Sequence, residues 1–113
     1  MDETRAIVAF SALGQETRLA TFRMLVQAGA EGITSGEIGE RLGVRQNTMS
    51  TNLGILLTAG LVSRQRQGRA VRYYPDMDGY AAMIKFLITD CCGGRTELCR
   101  DIMDDIADTA TAR

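Results

Sequence analysis

The chain has 113 residues, of which 45% are hydrophobic and 24% are charged, and its formal net charge is −1. These values are typical of one globular domain and exclude a disordered chain. The first residues are acidic with only a short apolar run, which argues against a signal peptide or a membrane span, so we expect a cytoplasmic protein with no membrane partner.

The net charge conceals an uneven distribution of charged residues. Residues 41–75 contain six arginines and no Asp or Glu, whereas the rest of the chain has twice as many acidic as basic residues. A basic block inside an acidic chain indicates a local anionic partner, although chance clustering on a solvated face is the alternative. The chain also has no histidine, and so lacks the commonest general base and the commonest nitrogen ligand for metals.

Apolar residues at helical spacing predict two helices at the start of the chain. Ile7, Phe10 and Leu13 are three residues apart, and the pattern resumes between residues 19 and 26. The glycines within residues 27–32 are expected to end the second helix, because glycine is costly in a helix interior.

A helix-turn-helix pattern follows. Thr34 and Glu37 form a capping box that opens a short helix, and Gly43 ends this helix. A second helix, rich in small polar residues, ends just before Gly60. Its apolar side chains expected to face the core are Val44, Met49, Leu53, Leu56 and Leu57. Its outward side carries the predicted DNA-contacting residues Arg45, Gln46, Asn47, Thr48, Ser50, Thr51 and Asn52, whose side chains suit base edges and phosphates.

The next segment predicts a β-hairpin. Apolar and polar residues alternate from Leu61 to Tyr74 on either side of Gln67-Gly68. Val62, Val71 and Tyr73 are expected to anchor the hairpin to the body. A basic hairpin after a helix-turn-helix forms a wing that follows phosphates or the minor groove. The arginines predicted to make these contacts are Arg64, Arg66, Arg69 and Arg72.

Two further helices complete the predicted fold. Pro75 ends the hairpin, and residues 77–90 form a helix with a wide apolar stripe. A final acidic helix carries Leu98, Ile102 and Ile106 at four-residue spacing. We therefore predict a mainly α fold with one β-hairpin, a winged helix-turn-helix, as a single DNA-binding domain over residues 1–113.

The segments "ALGQETRLA", "GITSGEIGERLGV" and "RQGRAVRYY" resemble the ArsR/SmtB family of small metal-responsive repressors, over about residues 6–90. The resemblance implies a homodimer, formed through the first and post-wing helices, that binds double-stranded operator DNA and is released by an inducer. It also implies that the protein is not an enzyme. The chain departs from the family pattern at Arg45 and Asn47, where Ser and Pro are frequent, and at Thr51-Asn52, where a His is frequent.

All three cysteines lie in "DCCGGRTELC", residues 90–99. This stretch is similar to the inducer site of the arsenite-responsive subgroup, which has adjacent cysteines near the end of the post-wing helix and a third one shortly after. The resemblance implies that Cys91, Cys92 and Cys99 bind As(III) or Sb(III), with no organic cofactor, and that residues 90–99 form a sensor loop. Three soft thiolates without nitrogen suit such an ion.

Helix geometry constrains this interpretation. On one straight helix, Cys92 and Cys99 would be separated by ~10.5 Å of rise, whereas two thiolates on one centre can be at most ~4.6 Å apart. Gly93-Gly94 permits the turn that a shared site needs. Three alternatives remain. The first is a thiol-based redox or persulfide sensor on the same fold, and the second is a small thiol enzyme, for which the chain lacks a Cys-x5-Arg loop and a histidine base. In the third, the cysteines are small apolar side chains packed in the core.

Overall fold

The computed structural model describes residues 1–91 and 96–111, apart from the side chains of residues 90, 91, 96, 99, 110 and 111. The elements are, in order, α1 (Glu3–Leu13), α2 (Glu16–Ala28), a 3₁₀ turn (Gly29–Glu31), β1 (Ile33–Thr34), α3 (Ser35–Leu42), α4 (Gln46–Thr58), β2 (Val62–Gln67), β3 (Ala70–Pro75), α5 (Met77–Cys91) and α6 (Thr96–Thr111). The strands form one antiparallel sheet in the order β1-β3-β2. This arrangement is a winged helix-turn-helix and confirms the predicted fold class.

The first helix buries its small side chains and exposes its large ones. Its alanines Ala6, Ala9 and Ala12 are buried, whereas Ile7 is 58% exposed and Phe10 is 37% exposed. Three-residue spacing places the alanines on one helix face, where their small size lets α1 pack closely on α2, α4 and α5. Of the residues whose spacing predicts the helix, Ile7 and Phe10 therefore lie on an outer face, whereas Leu13 is half-buried against the core.

The helix-turn-helix forms as predicted. Thr34 Oγ1 accepts a hydrogen bond from the Glu37 amide at 3.3 Å, which caps α3. The predicted capping box is only half formed, because the Glu37 carboxylate pairs with Arg41 at 2.8 Å instead of reaching back to the Thr34 amide. Gly43 ends α3 in the left-handed conformation, with φ of 66°. The core of this unit, which is fully buried, consists of Ile38, Met49, Leu53 and Leu56.

The wing is a regular hairpin. β2 and β3 pair from Val62 opposite Pro75 to Gln67 opposite Ala70, so the loop is Gly68–Arg69, one residue later than the predicted centre. Gly68 has φ of 63° and Arg69 does not have a positive φ, the pattern of a type II′ turn that matches the strand twist. Val62 and Tyr73 are buried, as predicted, and attach the base of the wing to the body.

The helices after the wing leave apolar surface uncovered. Asp76 Oδ1 accepts from the Gly79 amide at 3.0 Å at the start of α5. The Tyr80 ring then meets the Phe22 ring edge-on, with centroids 5.2 Å apart. Exposed large apolar residues on α5 and α6 include Leu87, Leu98, Ile102, Met103 and Ile106. In the described part of the chain, no helix combines the length and apolar character needed to span a membrane.

Candidate DNA interface and sensor segment

One side of α4 forms a polar surface. Burial of Met49, Leu53 and Leu56 fixes the rotation of α4 about its axis and turns the intervening residues outward. The predicted DNA-contacting residues that are exposed on α4 or at its N-cap are Arg45, Gln46, Asn47, Thr48, Ser50 and Thr51. Small polar side chains beside an arginine can donate to and accept from base edges and phosphates.

Several of these side chains also stabilise the start of α4. Gln46 Nε2 donates to the Ser35 carbonyl oxygen at 3.3 Å, which joins α4 to α3. The Asn47 carbonyl oxygen accepts from Thr51 Oγ1 at 3.2 Å, and Asn47 Oδ1 accepts from the Thr48 amide at 2.8 Å. Among the described residues, three predicted DNA contacts on α4 or at its N-cap have side chains that make no hydrogen bond within the protein: Arg45, Thr48 and Ser50.

Asn52 lies on the inner side of α4, in contrast to its predicted outward position. Its side chain is only 7% exposed, and Asn52 Oδ1 accepts from Arg18 Nη1 at 3.1 Å. It follows Thr51 by ~100° around the helix axis, which turns it away from the exposed face. Asn52 is thus a buried polar group with a partner inside the protein, and its side chain is not available to DNA in this conformation.

The wing carries a row of exposed arginines. Arg64, Arg66 and Arg69 are exposed, and Arg64 and Arg66 lie two residues apart on one face of β2. Neither α4, β2 nor β3 contains an acidic residue. Three guanidinium groups in a hairpin without acidic side chains make the wing a positive surface suited to phosphate.

Arg72 is part of the wing's attachment, in contrast to its predicted place among the exposed arginines. It is half-buried, and its Nη1 donates to the carbonyl oxygens of Glu31 at 3.1 Å and Gly32 at 3.2 Å. Its Nε donates to Gln67 Oε1 at 2.9 Å. The guanidinium therefore joins the outer end of β2 to the 3₁₀ turn and fixes the angle of the wing.

The side chains of the predicted inducer ligands are outside the described part of the structure. Cys92 lies outside the described residues, and the side chains of Cys91 and Cys99 are likewise not described. Cys91 is the last residue of α5, and Cys99 belongs to the first turn of α6. Among the described side chains, no three His, Cys, Asp or Glu residues are placed to hold a metal ion. The three thiols thus stay a prediction from the sequence.

Arg18 is a functional candidate that sequence reasoning missed. Its Nε donates to the Ala12 carbonyl oxygen at 2.7 Å, and its Nη1 bonds Asn52, so one side chain contacts both α1 and α4. A single arginine in an amphipathic helix is ordinarily a surface residue. The only signal was its place inside "ALGQETRLA", the segment that carries the family resemblance.

Comparisons with known proteins agree with this architecture. A family model described as a helix-turn-helix domain matches residues 13–65. The chain is 33% identical over 96 residues to the uncharacterized HTH-type transcriptional regulator YbzH of Bacillus subtilis, covering 74% of this chain and 96% of that protein. It is 32% identical over 77 residues to the putative arsenical resistance operon repressor ArsR2 of Halobacterium salinarum, covering 68% of this chain and 63% of that protein.

A solved structure shows the same fold. The homodimeric winged helix-turn-helix DNA-binding domain of Mb0332 from Mycobacterium bovis, a possible ArsR-family regulator, superposes with a TM-score of 0.63. It is 22% identical, and the match covers 80% of this chain and 82% of that chain. The chain therefore belongs to the helix-turn-helix transcriptional regulators, with a winged-helix fold of the ArsR type. It is a DNA-binding regulator and not an enzyme.

Proposed function

We propose that this protein is a homodimeric repressor that binds operator DNA through α4 and the wing and is released when As(III) or Sb(III) binds Cys91, Cys92 and Cys99. The observation that carries the DNA-binding part is the exposed surface of α4 together with the exposed arginines of the wing. These two elements are consecutive in the chain and contain no acidic residue. In such a fold the second helix enters the major groove while the wing follows the backbone.

The uncovered apolar faces support the homodimer. Ile7 and Phe10 on α1 and Leu87 on α5 are exposed, and α6 adds Ile102 at 59% and Ile106 at 57% exposure. Exposed apolar residues concentrated on particular helices are typical of protein–protein contacts. The Mb0332 domain of the same fold is homodimeric. A second copy of this chain would cover these helices and place two recognition helices ~34–36 Å apart, one turn of duplex.

The donor chemistry supports a thiophilic inducer. The chain offers three cysteines and no histidine, and Cys91 is the last residue of α5 while Cys99 belongs to the first turn of α6. Thiolates are the ligands preferred by soft ions, and binding requires that the thiols be deprotonated. A similar protein, ArsR2, is named as a putative arsenical resistance operon repressor. Because α5 and α6 also carry the exposed apolar residues of the proposed dimer, capture of the ion would alter the dimer contact.

An arsenite titration tests this function. The fully reduced protein is titrated with arsenite without oxygen, and its binding to a fluorescent duplex, selected from random-sequence DNA with this protein, is followed by anisotropy. We expect one equivalent per subunit and a loss of DNA affinity of about 5- to 150-fold, the usual range of allosteric coupling. Cys91→Ser, Cys92→Ser and Cys99→Ser should each abolish the response, whereas Thr89→Ser, a conservative change just before the segment, should keep it.

The same titration separates the alternatives. If DNA release occurs only after addition of an oxidant or a persulfide donor, the thiols sense redox state and the metalloid proposal is wrong. If the three Cys→Ser variants still respond to arsenite, these cysteines are not the inducer ligands.

A further inference from the structure

Arg18 joins three helices at one point inside the domain. It belongs to the first turn of α2, where its amide donates to Gln15 Oε1 at 2.9 Å. Its Nε donates to the Ala12 carbonyl oxygen of α1 at 2.7 Å, and its Nη1 donates to Asn52 Oδ1 of α4 at 3.1 Å. Arg18 is half-buried, and both acceptor residues are buried. We call these two side-chain bonds the Arg18 bridge.

The acceptor at the end of α1 and the planar guanidinium fix the geometry of the Arg18 bridge. Ala12 lies in the last turn of α1, where carbonyl groups have no partner within the helix and the helix dipole favours a cation. A guanidinium is a rigid planar fork, so its two bonds hold α1 and α4 at a fixed relative position. Within low-dielectric surroundings, hydrogen bonds of a charged donor are stronger than those of neutral pairs.

The bridge connects the inner sides of two helices whose outer sides have proposed roles. Ala12 is on the buried face of α1, while Ile7 and Phe10 are exposed elsewhere on that helix. Asn52 is on the buried face of α4, while Thr48 and Thr51 are exposed on its polar side. A displacement of α1 would therefore move α4 with it, through bonds that lie on the inner sides of both helices.

We infer that Arg18 is a positioning residue that couples the dimer helix α1 to the recognition helix α4. It thereby sets the separation of the two DNA-reading helices and passes a change at the dimer contact to them. This inference rests on the proposed homodimer and adds to it a mechanism of regulation. A purely stabilising contact would instead affect only the free energy of unfolding.

The test compares four variants on a series of duplexes. The duplexes carry the two selected half-sites at their native separation and at one base pair more or less, which moves a half-site by ~3.4 Å and rotates it. Arg18→Lys and Asn52→Ala break the bridge, Asn52→Asp keeps the acceptor oxygen, and Arg23→Lys is the matched control at an exposed arginine of the same helix. Thermal melting and sedimentation confirm that each variant is a folded dimer.

We expect the wild type, Asn52→Asp and Arg23→Lys to discriminate against altered spacing by about 5-fold or more, within the usual range of coupling. Arg18→Lys and Asn52→Ala should lose most of that discrimination and most of the arsenite response. If these two variants lower only the melting temperature and retain the spacing profile, Arg18 is merely structural. Should Asn52→Ala not fold, Arg18→Lys decides the question alone. A wild type that binds DNA but ignores arsenite contradicts only the proposed inducer, because the spacing series still tests the bridge.

Discussion

Gly79, in the first turn of α5, lies directly against the carbonyl oxygen of Gly60, which follows α4. A Cβ atom on Gly79 would overlap the carbonyl group of Gly60, and this group is backbone that cannot move aside cheaply. The contact holds the start of the post-wing helix against the end of the recognition helix. Side-chain size at position 79 is therefore limited by the fold itself.

Gly79→Ala should destabilise the protein by about 1–3 kcal/mol, the typical cost of overpacking. Gly54→Ala is the matched control, because Gly54 is inside α4 and a methyl group there would meet open space. At that position, alanine should stabilise by about 0.5–1 kcal/mol through helix propensity. Urea unfolding followed by circular dichroism measures both changes, and equal effects of the two substitutions would contradict the close approach.

Thr34→Ala should destabilise the protein by about 1 kcal/mol, because it removes the acceptor that caps α3. Thr34→Ser retains a hydroxyl oxygen at the same position and should restore most of the loss. The measurement is again the free energy of unfolding from urea titration. A Ser variant as unstable as the Ala variant would show that the methyl group, rather than the cap, is what matters.

Arg69→Gln should weaken DNA binding and lower the slope of log affinity against log salt by about 1, since one phosphate contact is lost. Arg23→Gln, at an exposed arginine outside the proposed interface, should leave the slope unchanged. Anisotropy titrations at several salt concentrations provide the slopes. An unchanged slope for Arg69→Gln would show that the tip of the wing makes no phosphate contact.

Arg72→Gln should behave differently from the exposed wing arginines. Loss of its bonds to Glu31 and Gly32 should lower the free energy of unfolding, because two backbone carbonyls lose a charged donor. Comparing melting temperatures of the Arg72→Gln and Arg69→Gln proteins measures the difference. If both melt like the wild type, the Arg72 contacts contribute nothing measurable to stability.

Ile102→Asp should shift the protein from dimer to monomer, because it places a charge on the proposed subunit contact. Leu19→Asp is the matched control, since Leu19 is also exposed but lies on α2, outside the proposed contact. Sedimentation equilibrium at several concentrations measures the change. A monomeric Leu19→Asp protein together with a dimeric Ile102→Asp protein would place the subunit contact elsewhere.

Local sequence signals predicted the elements of this fold well. The Thr34 cap, the glycine that ends α3 and the paired strands of the wing each depend on residues close together in the chain, so spacing and residue type were sufficient. The same kind of signal did not predict which side of α1 is buried. Alanines carry little hydropathy signal, and their burial depends on α4 and α5, which are distant in sequence.

Distance along the chain also explains why Asn52 and Arg72 were wrongly predicted to be exposed DNA contacts. Asn52 has the composition of a surface residue, and it is buried because Arg18, 34 positions earlier, supplies its partner. Arg72 continues the row of wing arginines in sequence, yet its guanidinium is occupied by carbonyls 40 and 41 positions earlier. Whether a polar residue lies on the surface or in the interior depends on its hydrogen-bond partners, and here those partners are close only in the folded chain.

The outer part of the wing has a consequence for how such a regulator can diverge. Every residue from 63 to 70 is exposed, while attachment depends on Val62, Tyr73 and Arg72 nearer the body. Substitutions at these exposed positions, apart from Gln67, which bonds Arg72, therefore change the charge offered to DNA without removing contacts that attach the wing. Operator affinity and the stability of the domain therefore depend on largely different residues of the wing, so the two properties are open to separate selection.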